Sequence, residues 1–275
     1  MRRALLVCLV ASGCMAGPNV ETLIDDLRVV GLVLEPPEAS PGDVIEISVT
    51  ISDPGENGAD VLFWTCTDLT FSGDCVESSI GAPWAVPVLL EDGRGSVSWP
   101  VPPSTQFIFD EGVPQFPVSF RALACEEGLC PLLDAALAGE SAAMEGLSDP
   151  SDELRDLPFE GVSYATRFGL LSGQPRDAHN VNPTVTADFE AEELVERANG
   201  VEMRFLVEDE QDVLVYGYAE QGGFSRPETP VRDGEVTVTW FPPEKGAKGD
   251  VPVYVAFEDG QGGSALWTGV IAPKN

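Results

Sequence analysis

Short segments that alternate apolar with polar residues, each stopped by Gly, Pro or Asp, run through most of this chain and restrict it to a β architecture. Val44-Ile-Glu-Ile-Ser-Val-Thr-Ile51 is the clearest case, lying between the turns Pro41-Gly42-Asp43 and Asp53-Pro-Gly-Glu-Asn-Gly58. Before it, Leu27–Leu34 reads as a strand ended by Glu35-Pro36-Pro37. After it come Val61–Cys66, Val86–Leu90, Gly95–Val101, Phe116–Cys125 and Gly161–Leu171. Val61–Cys66 is the most aromatic and is expected at the centre of a sheet. Asp92-Gly93 supplies the positive φ of a hairpin turn. Pro131–Gly139 is the first stretch of helical character, inside an acidic loop that reaches Asp156. Thr184–Phe189, Val201–Glu208, Val213–Ala219, Glu235–Phe241, Val251–Glu258 and Ser264–Ile271 continue the pattern, with hairpins marked by Asp233-Gly234 and Asp259–Gly263. Glu190–Asn199 is expected to form one or two helical turns. With 28 Gly and 23 Pro, many short strands joined by turns is the expected build. The spacing is that of antiparallel sandwiches. Two are expected, over 27–171 and 183–275, joined by a linker at 172–182. The first carries an inserted Cys-containing loop and a short helix. No strict internal repeat is visible in the residues.

The amino terminus carries a different instruction. Arg2 and Arg3 precede an apolar run from Ala4 to Val10, followed by the small residues Ala11, Ser12 and Gly13 and then Cys14. That order is a secretory signal peptide, and the run is far short of the ~20 apolar residues a membrane-spanning helix needs. The small residues ending on Cys14 resemble the bacterial lipobox, with Ala11 where the motif usually has Leu. The resemblance implies cleavage after residue 13, acylation of Cys14 and a tether over 14–26. An ordinary secreted protein cut near Ala16 is the alternative. Met15 after the acylated cysteine, with no Asp there, points to the outer membrane, on its periplasmic or surface face.

The charge is strongly acidic, with 15 basic and 46 acidic residues. Nucleic acid and anionic lipid headgroups are therefore disfavoured partners. Three lysines are present, Lys245, Lys248 and Lys274, against twelve arginines. Beyond Cys8 and Cys14 four cysteines remain: Cys66, Cys75, Cys125 and Cys130. In an exported chain they read as two disulfides with three possible connectivities, and the spacings suggest local bridges 66–75 and 125–130. A zinc site would want C-x-x-C pairs, which neither spacing supplies.

Catalytic devices are hard to assemble from these residues. The one histidine, His179, lies in the linker, where a Ser–His–Asp or Cys–His arrangement has no positioned imidazole. No G-x-S-x-G, H-E-x-x-H, Walker or G-x-G-x-x-G motif stands in a workable context. No enzyme and no cofactor are expected, with Ca²⁺ the one ion considered. Its candidate ligands are Glu208, Asp209, Glu210 and Asp212 in one loop and Glu258 with Asp259 in another. Of the tryptophans 64, 84, 99, 240 and 267, four lie in or beside strands, where a core role is the default. Trp84, between Pro83 and Ala85, is the candidate for stacking on a ligand such as a glycan.

Several stretches taken together resemble Ig-like lipoproteins of the kind common in myxobacterial-type genomes. These are Leu27-Arg28-Val29 through Glu35-Pro36-Pro37 to Pro41-Gly42, the Trp64/Cys66 strand, Leu147-Ser-Asp-Pro150 leading to Leu157-Pro158, and Asn180-Val-Asn-Pro183. Phe257-Glu-Asp-Gly-Gln-Gly-Gly263 followed by Trp267 is similar to the end of PKD-like and cadherin-like Ig domains. The paired D-x-D and D-x-N-D-N runs of true cadherins are missing. The resemblance implies fold and location. The sequence as a whole reads as a lipid-anchored outer-membrane protein with a non-catalytic structural, adhesive or protein-interaction role and an envelope protein as partner. An accessory protein binding a glycan or Ca²⁺ at the cell surface is the alternative. No catalytic residue is implied.

Overall fold

The computed structural model describes residues 22–66, 85–103, 115–137, 160–191, 194–208 and 212–273. The described chain is nearly all β. In its first half, β1 (Arg28–Glu35), β3 (Val44–Ser52) and β6 (Arg94–Pro100) form an antiparallel sheet in the order β1-β3-β6. A five-stranded sheet faces it, in the order β2-β8-β7-β4-β5. These strands are β2 (Glu38–Ala39), β4 (Ala59–Cys66), β5 (Ala85–Leu89), β7 (Gln115–Glu126) and β8 (Val162–Ser172). The alternation dictates what meets between the sheets. Ile45, Ile47, Val49 and Ile51 from one side bury against Val61, Phe63, Phe120 and Ala122 from the other. Trp99 and Phe120 meet edge to face across the gap, with centroids 5.1 Å apart.

The second half repeats this plan. One sheet has the order β12-β14-β10-β9, from β9 (Thr184–Ala187), β10 (Val201–Glu208), β12 (Gly223–Phe224) and β14 (Glu235–Phe241). The other has the order β13-β11-β15-β16, from β11 (Val213–Ala219), β13 (Thr229–Pro230), β15 (Val251–Asp259) and β16 (Ser264–Ile271). Phe205 of one sheet packs edge to face on Phe257 of the other at 5.2 Å. Strand for strand, β9-β10-β14 occupies the places of β1-β3-β6, and β16-β15-β11-β13 those of β8-β7-β4-β5. The repeat absent from the residues is present in the topology, because the pattern and turns specify it without fixing side-chain identities.

Several local expectations need correcting. The aromatic β4 lies inside the five-stranded sheet, paired with β5 on one side and β7 on the other, while the middle place is taken by the twelve-residue β7. Asp92-Gly93 and Asp233-Gly234 do form tight turns, with φ of 49° and 71° at the first and 53° and 75° at the second. Neither makes a hairpin. Only Glu91–Arg94 and Arg232–Glu235 pair across the turns, and the flanking strands leave for opposite sheets. In the acidic segment, 194–196 is extended rather than helical. Leu194 accepts from the Ala272 N–H and Glu196 donates to the Ala272 carbonyl, so those groups are lost to an i→i−4 ladder. Two-residue strands such as β2, β12 and β13 carry no periodicity to read.

Residues 22–26, read as the end of a tether, are built into the fold. The Ile24 N–H donates to the Ala219 carbonyl at 2.8 Å, and Ile24 is buried. The Thr22 hydroxyl accepts from the Phe224 N–H at 2.7 Å. Asp26 then accepts from the Gly161 N–H at 3.0 Å. One short segment thus touches both sandwiches. The reason is backbone satisfaction: β13 covers only the start of β11, and the chain at 22–24 supplies a partner beside its last residue, Ala219.

Candidate functional site

The densest polar geometry lies where the outer face of β11-β15-β16 meets the first sandwich. Along β8, Tyr164, Thr166 and Phe168 point outward, while Arg167 points the other way and is almost wholly buried. Its guanidinium reaches out of the first sandwich to the second. Nη1 pairs with Glu258 Oε1 at 2.7 Å and Nη2 donates to the Gly263 carbonyl at 2.7 Å. A buried charge needs such partners, and here they come from the opposite domain. Asp259, also buried, accepts from the N–H groups of Gln261 and Gly263 on one oxygen and from Asn180 Nδ2 on the other. Asn180 donates its backbone N–H to Glu38, and Asn182 donates to the Leu34 carbonyl and accepts from the Ser264 N–H. The segment read as a linker is therefore bonded to both domains.

The contact continues along β1. The Leu266 side chain fills the space above Gly31, where a Cβ would lie 2.7 Å from it. Arg28 lies over the Tyr218 ring, 4.6 Å from its centroid. Burial and the Glu258 carboxylate raise the Tyr218 phenol above its ordinary range, and Arg28 opposes that shift. At the far side of the contact, the Ser52 hydroxyl donates to Glu220 at 2.6 Å and Arg94 to the Thr268 hydroxyl at 3.2 Å. Gly262, at φ +98°, comes so close to the Phe168 carbonyl that a side chain there would collide with it.

Against this geometry the calcium candidates divide. Val213 pairs with Asp259, so exposed Asp212 and the turn after β15 lie at one end of the sandwich. Glu208 is exposed on β10, in the other sheet, opposite Thr184. Glu258 and Asp259 are already engaged by Arg167, Asn180 and the turn amides. Asp209 and Glu210 lie outside the described residues. Among the described residues no three Asp, Glu, His or Cys side chains gather in a way that could hold a metal.

Cys125 and Cys130 form a disulfide, with Cα atoms 6.0 Å apart. It belongs to a small second core on the outer face of the five-stranded sheet, with Leu62, Trp64, Leu123 and Leu133. The helix α1 (Pro131–Leu137) starts right after Cys130 and contributes Leu133 to that core. Cys66 ends β4, and Cys75, Cys14 and Trp84 lie outside the described residues. Trp64, Trp99 and Trp240 are buried, and Trp267 packs on Phe189 and Phe205. His179 approaches the Gln174 carbonyl at 3.1 Å within its own connector.

Two further features were missed in the sequence. Tyr164 and Phe168 are each 47% exposed on one face of β8, with Thr166 between them donating to the Tyr164 hydroxyl at 2.8 Å. The alternation of Gly161–Leu171 signalled this, since Tyr164, Thr166 and Phe168 share one parity and Arg167 the other. A cleft of about 750 Å³ opens where β3, β4 and α1 meet, lined by Asp53, Asp60, Glu127, Asp134, Leu89 and Leu90 among others. Desolvation raises the Asp60 carboxyl, and Asp134 and Glu127 add to the shift. These groups offer carboxylates on a partly apolar wall.

No family model matches the chain, and no curated protein matches it. Solved structures similar to it include the crystal structure of a tetra-tandem repeat in the extending region of a large adhesion protein, at 12% identity and a TM-score of 0.25, covering 91% of this chain and 50% of that one. Dimeric latent PorU from Porphyromonas gingivalis is similar at 10% identity and a TM-score of 0.28, covering 91% and 24%. A structure from a study of host cell surface retention of a 1.5-MDa bacterial ice-binding adhesin is similar at 14% identity and a TM-score of 0.25, covering 90% and 63%. The chain thus spans less than two thirds of each of these three solved chains.

Proposed function

We propose that this chain is an exported lipoprotein, held at the outer membrane by acyl groups on Cys14, with a non-catalytic structural or adhesive role in the cell envelope. The anchor rests on the residues Ala11-Ser12-Gly13-Cys14, and the observation that supports the structural role is the junction. Arg167, Glu258, Asp259, Asn180, Asn182 and residues 22–26 join two sandwiches into one body. Such a body suits a rigid spacer or a subunit docked to another envelope protein. More than one acyl chain gives durable membrane residence. The test is mass analysis of the amino-terminal peptide together with envelope pull-down, using the acylated chain as bait and Cys14→Ala as control. A diacylglyceryl mass on Cys14 and one envelope protein in fixed proportion support the reading. An unmodified Cys14, or no partner with the anchored bait, counts against its anchor or its subunit role respectively.

A second reading is favoured by Tyr164 and Phe168. Exposed aromatic rings on a flat strand face suit stacking on sugar rings, with Thr166 as a hydrogen-bonding neighbour. It makes the protein an accessory binder of a neutral glycan at the cell surface. Glycan-array binding that Tyr164→Ala with Phe168→Ala abolishes supports it, and equal binding by that variant counts against it.

A further inference from the structure

The two sandwiches lie side by side with their ends aligned. One end holds the Ser52–Glu220 and Arg94–Thr268 contacts and the loops 53–58, 220–222 and 242–250. The other holds the turns 40–43 and 260–263 and the connector 173–182, pinned there by Asn180 on Asp259 and by Arg176 on Asp43. The nine residues of β3 separate Val44 at the second end from Ser52 at the first, a rise of about 27 Å at ~3.4 Å per step.

Residues 22–24 are fixed at the first end, and on the C-terminal sandwich. Thr22 holds the Phe224 N–H, and Leu23 bridges to Ala219, the last residue of β11. Eight Cα steps lie between Cys14 and Thr22, a contour of at most about 28 Å. With the second end on the bilayer, that tail would have to run back along almost the whole body at full stretch. With the first end on the bilayer it keeps slack. The loop of the C-terminal sandwich at that end carries two of the three lysines in the chain, Lys245 and Lys248. Both are exposed, and Gln221 holds the loop in place through two hydrogen bonds to Lys248. With Glu244 and Asp250 the loop 242–250 is itself charge-balanced; beside it Glu220 accepts from the Ser52 hydroxyl and Glu196 from the Ala247 N–H, and Asp53, Glu56 and Glu127 at this end belong to the first sandwich.

We infer that the chain stands on the lipid surface with the end bearing loops 220–222 and 242–250 of its C-terminal sandwich facing the headgroups, and that the end bearing turns 40–43 and 260–263 points away. The inference rests on attachment through Cys14. Simple tandem order would instead put the N-terminal sandwich next to the bilayer and the C-terminal one beyond it.

The test places a photoreactive phenylalanine analogue, one site at a time, at Lys245, Val44 and Gly260 in the chain from Cys14 onward. Each is an exposed position, two of them at the far end. Each chain is coupled through its Cys14 thiol to a maleimide lipid in phosphatidylcholine vesicles and irradiated. Lipid adduct at Lys245, with a fall to background at Val44 and Gly260, is expected. Adduct at Val44 or Gly260 equal to or above that at Lys245 overturns the orientation. The chemical coupling makes this outcome independent of natural acylation, which the mass of the native amino-terminal peptide reports separately.

Discussion

Replacing Arg167 by methionine keeps most of the side-chain volume and removes the charge that bridges the sandwiches. The wild-type guanidinium side chain is 10% exposed and its partner Glu258 is 41% exposed. Breaking a buried ion pair by deleting one partner costs about 3–5 kcal/mol. Here Glu258 can rehydrate, which removes a large part of that. The Gly263 carbonyl loses a buried, charge-assisted hydrogen bond, which is worth about 1.5–3 kcal/mol. Arg167→Met should therefore cost about 2–3 kcal/mol. In a chain of this size that corresponds to a fall in melting temperature of roughly 4–12 °C. Calorimetry reads both this shift and the shape of the transition: one peak in the wild type, broadening or splitting in the variant as the sandwiches begin to melt separately. A shift under about 1 °C with the single peak retained would refute the assignment of Arg167 as the main tie.

Other expectations follow from the same geometry. Asp259→Ala leaves the Gln261 and Gly263 amides and Asn180 without their acceptor and should cost about 2–4 kcal/mol in urea denaturation, with the m-value unchanged. Removing the Cys125–Cys130 bridge as a double serine variant frees a six-residue loop, for which chain entropy predicts about 2 kcal/mol, measurable as earlier melting than the oxidised parent. Asp60 has its carboxyl raised from 3.8, so its burial penalises the folded state above that pH and not below it. Asp60→Asn should raise the melting temperature at pH 7, and the difference should close as pH falls to about 4; a constant difference across that range would contradict the assigned cause. With Glu258 and Asp259 engaged at the junction, millimolar Ca²⁺ should leave the melting temperature unchanged, and a rise of several degrees would contradict that engagement.

What was legible in the sequence was the part carried by periodicity. Val44–Ile51 alternates without interruption and forms a strand whose apolar parity faces the core, and Val201–Glu208 does the same. Trp64, Trp99 and Trp240 are buried for the reason their strand positions implied. What was illegible depends on who meets whom. Asp92-Gly93 dictates a tight turn but not whether the flanking strands stay paired, because that is decided by Val49 and Gly95 pairing across β3 and β6. Glu190–Asn199 has helix-compatible residues, yet its backbone is claimed by Ala272, far along the chain. The connector 172–182 reads as a linker because Gly, Pro and Asn punctuate it, and its two asparagines turn out to be side chains that tie the domains. Arg167 was the one junction residue with a visible signal: a charge on the inward parity of a strand.

The measurement that bears most directly on this account is small-angle scattering from the soluble form lacking residues 1–14. Two sandwiches joined side by side as one body should give a radius of gyration of about 18–20 Å, as for a single compact chain of this length, and a single maximum in the pair-distance distribution. A clearly larger radius, with two separated maxima that shift with ionic strength, would show two domains moving on a linker and contradict the junction.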